Sequence, residues 1–371
     1  MLGLVMLYSA SMNDVVSRKT GEIAGTKYLI SQLVWCGLGL VICLLAVRVD
    51  YRQLKKFAWP LFVVALIGLV AVLVLPEPWA KPVKGARRWL HLPFGNVQPS
   101  ELAKLALIVV LAWYCERYQR QMHTWTRGIM IPGGIIALML GLIFVEPDRG
   151  TTILLAAVSG SMLLLAGVRW LYIIPPMIAG VAGLAASLMY DPMRMKRIFS
   201  WLYLEENKDG VGYQAYQAML ALGSGGWFGL GLGNGRQKLG FVPERHTDFI
   251  LSIIGEELGL VATLAVVVAF VLIVICGIYI ATHARDTFGT MLAAGITFLI
   301  GLQAFINIGV VTSALPNKGL ALPFISYGGS SLVAMLACVG LLFSVARQAR
   351  ATELKPVNPF ATDELSGAQT T

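Results

Sequence analysis

The chain has 371 residues, of which 57% are hydrophobic and only 13% are charged. Soluble domains carry about 25% charged residues, so this composition indicates a membrane protein. The formal net charge is +9, but nucleic acid is not an expected partner because most of the surface must face lipid tails.

Ten apolar segments approach the ~20 residues that a membrane-spanning helix needs. They are 1–11, 28–47, 58–75, 101–115, 128–145, 151–168, 170–190, 249–281, 290–313 and 323–345. The first is short and begins abruptly, so we expect the natural start to lie upstream of Met1. The run 249–281 exceeds one span, so we expect it to protrude or to break near Gly255 and Gly259. The predicted fold class is an all-α polytopic membrane protein with about ten transmembrane helices.

Lys and Arg residues predict the orientation, since they concentrate in cytoplasmic loops. Twelve lie on the side of the C-terminal tail, and nine lie in the short loops opposite. This places both termini in the cytoplasm and makes residues 191–247 a large external loop. The membrane domain is predicted over 1–346, and the polar residues 347–371 are predicted to be a disordered cytoplasmic tail.

The stretch KPVKGARRW at 81–89 concentrates the basic residues of the outer short loops. Lys84, Arg87, Arg88 and the neighbouring Trp89 are candidates for binding an anionic ligand. Contact with lipid headgroups explains the same charges equally well, so both interpretations stay open here.

Two short motifs pair acidic and basic side chains at the edges of spans. In NVQPSELAKL, Glu101 and Lys104 stand at i, i+3 on one helix face. A structural ion pair is the favoured interpretation, and it would hold the basic loop 81–89 in place. In EPDRGT, Asp148 either caps the next helix or, with its charged neighbours, binds a cation or orients a partner side chain.

Seven glycines fall within GSGGWFGLGLGNGRQK at 223–238. Such a run lets the backbone approach a ligand closely and offer N–H groups to a phosphate. No nucleotide-binding spacing fits it, and a flexible connector is the alternative. Arg236 and Lys238 directly after the glycines favour the phosphate interpretation.

Acidic residues surround the start of the apolar run in VPERHTDFILSIIGEELG at 242–259. Asp248 could simply cap the helix, but it stands beside Arg245 and His246 and could act as a general base toward a bound hydroxyl. Glu256 and Glu257 lie about two turns further on. Acids at that depth usually face the interior of the bundle and mark a function or a specific partner.

The last motif, SALPNKGLALPFISYGGSSL at 313–332, leads into the final span. Its small residues allow helices to pack closely. Ser326, Gly328 and Gly329 are therefore predicted to support the site.

Together these motifs, in this order across ten spans, closely resemble the SEDS family (shape, elongation, division and sporulation), the polytopic FtsW and RodA proteins of bacteria. The resemblance covers nearly the whole chain. GNGRQK, KRIFSWL and LPFISYGGSS are more similar to the FtsW branch, which acts in division, than to the RodA branch, which acts in elongation.

The resemblance implies a peptidoglycan glycosyltransferase that polymerises lipid II at the outer face of the bacterial cytoplasmic membrane and releases undecaprenyl pyrophosphate. It implies that Asp248 is the essential residue, and that the partners are a class B penicillin-binding protein and other division proteins. Arg87, Arg88, Arg236, Lys238 and Arg245, or a divalent cation such as Mg²⁺ or Mn²⁺, would stabilise the leaving pyrophosphate. Glu256 and Glu257 would fix the helix from within.

Two other functions fit parts of the pattern. A transporter of lipid-linked sugars would also have many spans, buried acids and a cationic mouth, but its charges would line the whole path across the membrane. A non-catalytic scaffold for a transpeptidase would not need Asp248. Loss of glycan polymerisation in Asp248→Ala separates the enzyme from both.

Overall fold

The structure is a computed structural model that describes residues 2–11, 24–77, 79–80, 82, 86–92, 95–190, 192–242 and 244–353. Lys84 and residues 354–371 lie outside the described residues, so the binding role of Lys84 and the disorder of the tail stay predictions.

Helices dominate the described ranges. They are α1 (Leu2–Ser11), α2 (Ala24–Arg48), α3 (Leu54–Val74), α4 (Pro99–Arg117), α5 (Ile131–Val145), α6 (Arg149–Leu165), α7 (Trp170–Met189), α8 (Pro192–Leu202), α9 (Tyr213–Ser224), α10 (Ile250–Thr282), α11 (Thr287–Val311) and α12 (Gly329–Glu353). A hairpin of two short antiparallel strands, β1 (Leu90–Leu92) and β2 (Gly95–Val97), lies between α3 and α4, with Leu90 opposite Val97.

Every apolar segment of the sequence contains a helix, and the all-α fold class is confirmed. Seven helices in the described part of the chain are long and apolar enough to cross a membrane: α2, α3, α5, α7, α10, α11 and α12. Helices α1 and α6 are apolar but shorter. The predicted loop 191–247 is not a plain connector, because it contains α8 and α9, and α12 runs seven residues beyond position 346.

The centre of the bundle consists of α4 and α11, most of whose residues are buried. Helix α4 packs against α3 and α11, and α11 also contacts α6 and α10. At one edge α2 runs along α12. The two helices approach closely there, since a Cβ on Gly340 would lie 2.6 Å from the Cys43 carbonyl oxygen.

Helix α10 breaks at Gly259, where φ is 80° and ψ is −175°, which confirms the predicted break. Its 33 residues would span ~50 Å, against a hydrocarbon core of ~30 Å. Residues 250–257 before the break are buried by protein, whereas apolar side chains after it, such as Leu260 and Val261, are exposed. The break therefore separates a segment enclosed by protein from a segment that faces lipid.

The two ends of the bundle differ. One end, called here the hairpin end, carries the β-hairpin and the segments 146–149, 244–249 and 312–328. The other, called the tail end, carries the α2–α3 turn, the α10–α11 turn and the last turns of α12, where Gln348 Nε2 donates to Asp50 Oδ1 at 2.8 Å.

Candidate active site

Asp248 lies at the hairpin end, two residues before α10 begins. Its side chain is partly exposed, and its Oδ2 atom lies against Gly319, where an added Cβ would approach to 3.0 Å. Phe249 is the N-cap of α10, and its side chain makes no capping hydrogen bond. Asp248 stands one residue before this cap, so it does not occupy the N-cap position that aspartates favour at a helix start.

Asn307 of α11 fixes the backbone around Asp248. Its buried Nδ2 donates to the Asp248 carbonyl oxygen at 2.8 Å and to the Leu320 carbonyl oxygen at 2.7 Å. One amide thus ties the segment that carries the carboxylate to the loop that touches it. Both acceptors are backbone atoms, so Asn307 positions the backbone on both sides of the contact. The side chain of Asp248 is contacted by the loop at Gly319.

His246 lies in a cluster of three rings beside Asp248. It stacks on Tyr28 with ring centroids 5.3 Å apart and meets Tyr327 edge-on at 6.1 Å. The His246 carbonyl oxygen also accepts from the Tyr327 backbone N–H at 2.9 Å. The imidazole therefore packs α2 against the segment that leads into α12.

Ser326, Gly328 and Gly329 connect the same parts of the fold. Ser326 Oγ donates to the Thr247 carbonyl oxygen, and the Gly328 N–H donates to Gln32 of α2 at 3.3 Å. A Cβ on Gly329 would lie within 2.5 Å of the Trp35 ring. All three residues lie in the loop and helix start that contact the Asp248 segment or α2, and their supporting role stays a prediction.

Arg88 docks the hairpin onto the turn between α5 and α6. Its guanidinium donates to the carbonyl oxygens of Glu146 and Pro147 and lies 4.0 Å from Asp148. Asp148 caps α6 by accepting from the Thr151 N–H at 3.2 Å. Asp148 therefore plays both of the roles that the sequence left open, cap and partner of a cation.

The start of α6 also contacts the loop before α12, which touches Asp248. Gly150 packs on Leu320, whose Cγ would lie 3.0 Å from an added Cβ, next to the Gly319 carbonyl oxygen. Glu146 is fully buried, and burial together with the neighbouring Asp148 raises the pKa of its carboxyl group to about 8. A protonated acid thus stands behind the hairpin at neutral pH.

Glu101 and Lys104 form the predicted ion pair, with 2.7 Å between Oε2 and Nζ, and both are buried. Their further contact differs from the prediction. Lys104 Nζ donates to Gln303 Oε1 at 3.1 Å, and Gln303 Nε2 donates to the Ala321 carbonyl oxygen at 2.9 Å. In the described part of the chain, the pair thus supports the loop before α12 and not the basic loop 81–89.

Glu256 and Glu257 accept hydrogen bonds from backbone N–H groups of the glycine-rich segment, so those groups are not available to a ligand. Glu256 Oε1 accepts from the Arg236 N–H at 2.7 Å, and Glu257 Oε2 accepts from the Gly233 N–H at 3.1 Å. Lys238 Nζ lies 2.7 Å from Glu257 Oε1. These N–H groups satisfy buried carboxylates, so the prediction that they cradle a phosphate is wrong for them.

Two of the predicted pyrophosphate-binding cations are engaged inside the protein. Lys238 is 2% exposed and paired with Glu257, so its binding role is corrected to a structural one. Arg245 is 8% exposed and donates from Nε to the Ala10 carbonyl oxygen at 2.8 Å. Sequence alone counted these cations as available because it does not show which carboxylates and carbonyls fold against them.

The other predicted residues of the basic loops keep an accessible surface. Arg87 and Arg236 are exposed, and Trp89 is partly exposed. They can meet a ligand that approaches from outside the bundle.

A metal held by protein side chains does not fit the described residues. They contain no group of three or more His, Cys, Asp or Glu side chains placed to hold an ion. We therefore derive no catalytic step through the divalent cation that the sequence led us to expect.

Sequence reasoning missed Asn307 and Gln303, which face the site from the apolar helix α11. Their spacing of i, i+4 places them on one helix face. Polar side chains inside a membrane helix usually face the bundle interior, so this pair was the signal that could have found them.

The assembled site combines a partly exposed carboxylate, a rigid backbone beneath it and cationic side chains on an adjoining hairpin. A carboxylate in that setting can accept a proton from a hydroxyl group. The exposed arginines of the basic loops can bind an anion, since guanidinium groups suit phosphate oxygens.

Comparison with known proteins places this geometry in context. Residues 1–351 match the family of FtsW, RodA and SpoVE cell cycle proteins. The probable peptidoglycan glycosyltransferase FtsW of Trichlorobacter lovleyi is 42% identical over 343 residues, which cover 92% of this chain and 89% of that protein. The protein of the same name from Marinobacter nauticus is 42% identical over 344 residues, covering 91% and 84%.

Solved structures give the same result at lower identity. A chain from a peptidoglycan synthase complex, described as coordinating polymerisation and crosslinking, superposes with a TM-score of 0.75 at 26% identity, covering 94% of this chain and 97% of that one. The rod shape determining protein RodA of Thermus thermophilus superposes with a TM-score of 0.68 at 28% identity, covering 94% and 93%.

Proposed function

Because this chain belongs to the FtsW, RodA and SpoVE family of cell cycle proteins, we propose that Asp248 is the base with which it polymerises lipid II. The chain is a peptidoglycan glycosyltransferase that acts in cell division, as the relatives named FtsW indicate. The family and activity expected from the sequence motifs are thereby confirmed.

The observation that carries the role of Asp248 is the partly exposed position of its carboxylate at the hairpin end, just before α10. The carboxylate is partly exposed, lies against Gly319, and stands on a backbone clamped by Asn307. A rigid base that is reachable from outside is what general-base catalysis requires.

In the proposed reaction, Asp248 accepts the proton of the acceptor sugar's 4-hydroxyl group as that oxygen attacks the anomeric carbon of the growing chain. The new C–O bond forms on the face opposite the departing group, which inverts the anomeric centre and gives a β-1,4 link. The bond from the anomeric carbon to the phosphate oxygen breaks, and its electron pair leaves with undecaprenyl pyrophosphate. One carboxylate suffices because pyrophosphate is a good leaving group, whereas glycosidases typically use two.

Exposed Arg87 and Arg236 are proposed to attract the pyrophosphate, and Arg88 is proposed to hold the hairpin at the rim. Positive charge placed where negative charge develops lowers the barrier. Oxygen atoms of the substrate's phosphates would hold a Mg²⁺ or Mn²⁺ ion, and no step depends on it.

The proposed location is the bacterial cytoplasmic membrane, with the hairpin end on the outer side. The apolar helices support the membrane assignment, and the excess of Lys and Arg on the tail side supports the orientation. The proposed partners are a class B penicillin-binding protein, which would crosslink the strands, and other division proteins. A structural relative that belongs to a complex for polymerisation and crosslinking supports the first of these.

Polymerisation of lipid II by the purified chain with its transpeptidase partner tests the role of Asp248. We expect Asp248→Ala and Asp248→Asn to reduce glycan formation by at least about 100-fold, since general-base catalysis contributes roughly 10²–10⁴-fold. Asp209→Asn makes the same chemical change at an exposed residue of the same loop and should leave the rate intact.

Wild-type-like glycan synthesis by a folded Asp248→Ala variant would remove Asp248 from the reaction. Movement of lipid II across vesicles by the wild-type chain without any polymer would instead favour a transporter.

A further inference from the structure

Three of the cations that the sequence motifs suggested have partners inside the protein. Lys238 is paired with Glu257, Arg245 donates to a carbonyl oxygen of α1, and Arg88 is docked on the α5–α6 turn. A diphosphate leaving a sugar held at Asp248 needs cationic stabilisation at that point. Among the described residues, a further cation in the loop that touches Asp248 is therefore a candidate.

Lys318 is the cation that these loops provide. It precedes Gly319, the residue in contact with Asp248 Oδ2, and consecutive Cα atoms are about 3.8 Å apart. Asn307 binds the carbonyl oxygens of both Asp248 and Leu320, so the backbone on either side is fixed relative to the carboxylate. The flexible four-carbon stem of a lysine can reach a group bound there.

The environment of Lys318 favours an anion that arrives from outside the protein. The residue is partly buried, and burial lowers the pKa of its ammonium group. No acidic side chain in the described ranges forms an ion pair with it. A charged group that is desolvated without an internal counter-ion is costly, and such groups concentrate at functional sites.

We propose that Lys318 binds the diphosphate of the lipid-linked donor and neutralises it as the pyrophosphate leaves. This inference rests on the proposed glycosyltransferase reaction and names one of its substrate contacts. The lysine provides a compact point charge on the side of Asp248 formed by the loop before α12. The hairpin arginines then attract the diphosphate at the rim, while Lys318 stabilises its negative charge as the bond to the sugar breaks.

Product inhibition tests this contact directly. Polymerisation by the purified full-length chain with its transpeptidase partner is measured with undecaprenyl pyrophosphate and, separately, undecaprenyl monophosphate as inhibitors. We expect Lys318→Ala to raise the inhibition constant of the pyrophosphate at least about tenfold and that of the monophosphate less, while Lys318→Arg stays within about threefold of wild type. Lys196→Ala removes the same charge from an exposed position of α8 and should not change either constant.

The pH dependence of inhibition does not require the alanine variant to fold. Because burial lowers the pKa of Lys318, the wild-type chain should lose affinity for undecaprenyl pyrophosphate at a lower pH than an ordinary lysine would. Lys318→Arg, which stays charged, should keep its affinity through that range. Identical pH profiles for the two proteins would overturn the proposal.

The remaining outcomes separate this inference from the proposed function and from a lipid headgroup site. Polymerisation by wild type, its loss in Asp248→Ala, and wild-type inhibition constants in Lys318→Ala would overturn the Lys318 contact alone. An effect of Lys318→Ala that appears only in micelles with phosphatidylglycerol would assign the lysine to headgroups and likewise overturn it. Absence of polymer from the wild-type chain would sink the glycosyltransferase proposal itself.

Discussion

At the scale of single residues, the position of the Asp248 carboxylate depends on the absence of a side chain at the neighbouring Gly319. Gly319 lies against Asp248 Oδ2, and its backbone conformation does not itself require glycine, since it is absent from the residues with positive φ. The glycine is needed for the space that it leaves. A methyl group there would compete directly with the carboxylate.

Gly319→Ala should therefore impair catalysis more than folding. The new Cβ would lie 3.0 Å from Oδ2, so the carboxylate would have to move by a few tenths of an ångström. A misplacement of about 1 Å can cost roughly 100-fold in rate, and we expect a loss below that limit. Polymerisation rate and thermal unfolding of the same samples provide the measurement. Gly141→Ala is the matched control, because its Cβ would meet nothing within 4 Å; equal rates in the two variants would contradict the steric argument.

From the residues alone, Asp248 was one of several charged side chains around the start of an apolar run. The resemblance to the SEDS family singled it out, and its catalytic role stays a prediction. The cations were harder, since Lys238 and Lys318 look alike in sequence. Only the fold shows that the first is enclosed with Glu257, while the second precedes the glycine that contacts Asp248 and forms no ion pair in the described ranges.

At the scale of elements, the glycine-rich segment and the first turns of α10 form one unit. Backbone N–H groups of Leu230 and Gly231 donate to the carbonyl oxygens of Glu256 and Glu257. A Cβ on Gly225 would lie 1.9 Å from the Gly255 carbonyl oxygen, so the glycines permit backbone contact. The side chain of Glu257 then closes the unit by binding Lys238 and Ser9.

Glu257→Gln should destabilise this unit strongly. It leaves the buried Lys238 ammonium without its counter-ion, which costs roughly 3–5 kcal/mol. Unfolding in detergent, followed by heat or denaturant, measures the loss, and the exposed Glu205→Gln serves as the matched control. Adding Lys238→Gln should recover part of the stability; a double variant as unstable as the sum of the singles would refute the pairing.

The existence of the spans was predictable because apolar length is a strong signal. The break at Gly259 was also foreseen, from the excess length and the glycine. Helices α8 and α9 were not, because they lie in a segment of mixed polarity whose helical character depends on packing, as where α9 packs on α10.

At the scale of the whole molecule, an ionic cluster at the tail end joins the α2–α3 turn, the end of α4 and the α10–α11 turn. It lies at the opposite end of the bundle from Asp248. Asp286 accepts from Tyr51 Oη at 2.6 Å and lies 3.1 Å from Lys55 Nζ, which also lies 2.6 Å from Glu116. Burial acts to raise the pKa of Asp286, but hydrogen bonds from Tyr51, Lys55 and the Gly289 N–H outweigh it, and the pKa is lowered.

Asp286→Asn should therefore destabilise the bundle in a pH-dependent way. A carboxylate whose folded pKa is lowered contributes stability above its unfolded pKa of 3.8, and that contribution disappears as pH falls through the folded value. The loss at pH 7 should be about 1–3 kcal/mol, typical of hydrogen bonds to a charged group. The unfolding free energies of wild type and variant should converge as the pH falls below 3.8 and through the folded pKa of Asp286. Asp209→Asn should follow wild type at every pH, and a constant gap would refute the ionic explanation.

The break at Gly259 has a mechanical consequence. After the break, α10 faces lipid and can tilt to match the bilayer, as spanning helices do when membrane thickness varies. Before the break, the first two turns of α10 are enclosed by α9 and the glycine-rich segment, and Asn307 ties the preceding Asp248 to α11. Because the N–H groups of Leu260 and Val261 donate to the Gly226 and Trp227 carbonyl oxygens, the glycine-rich segment holds the point where the two parts of α10 meet.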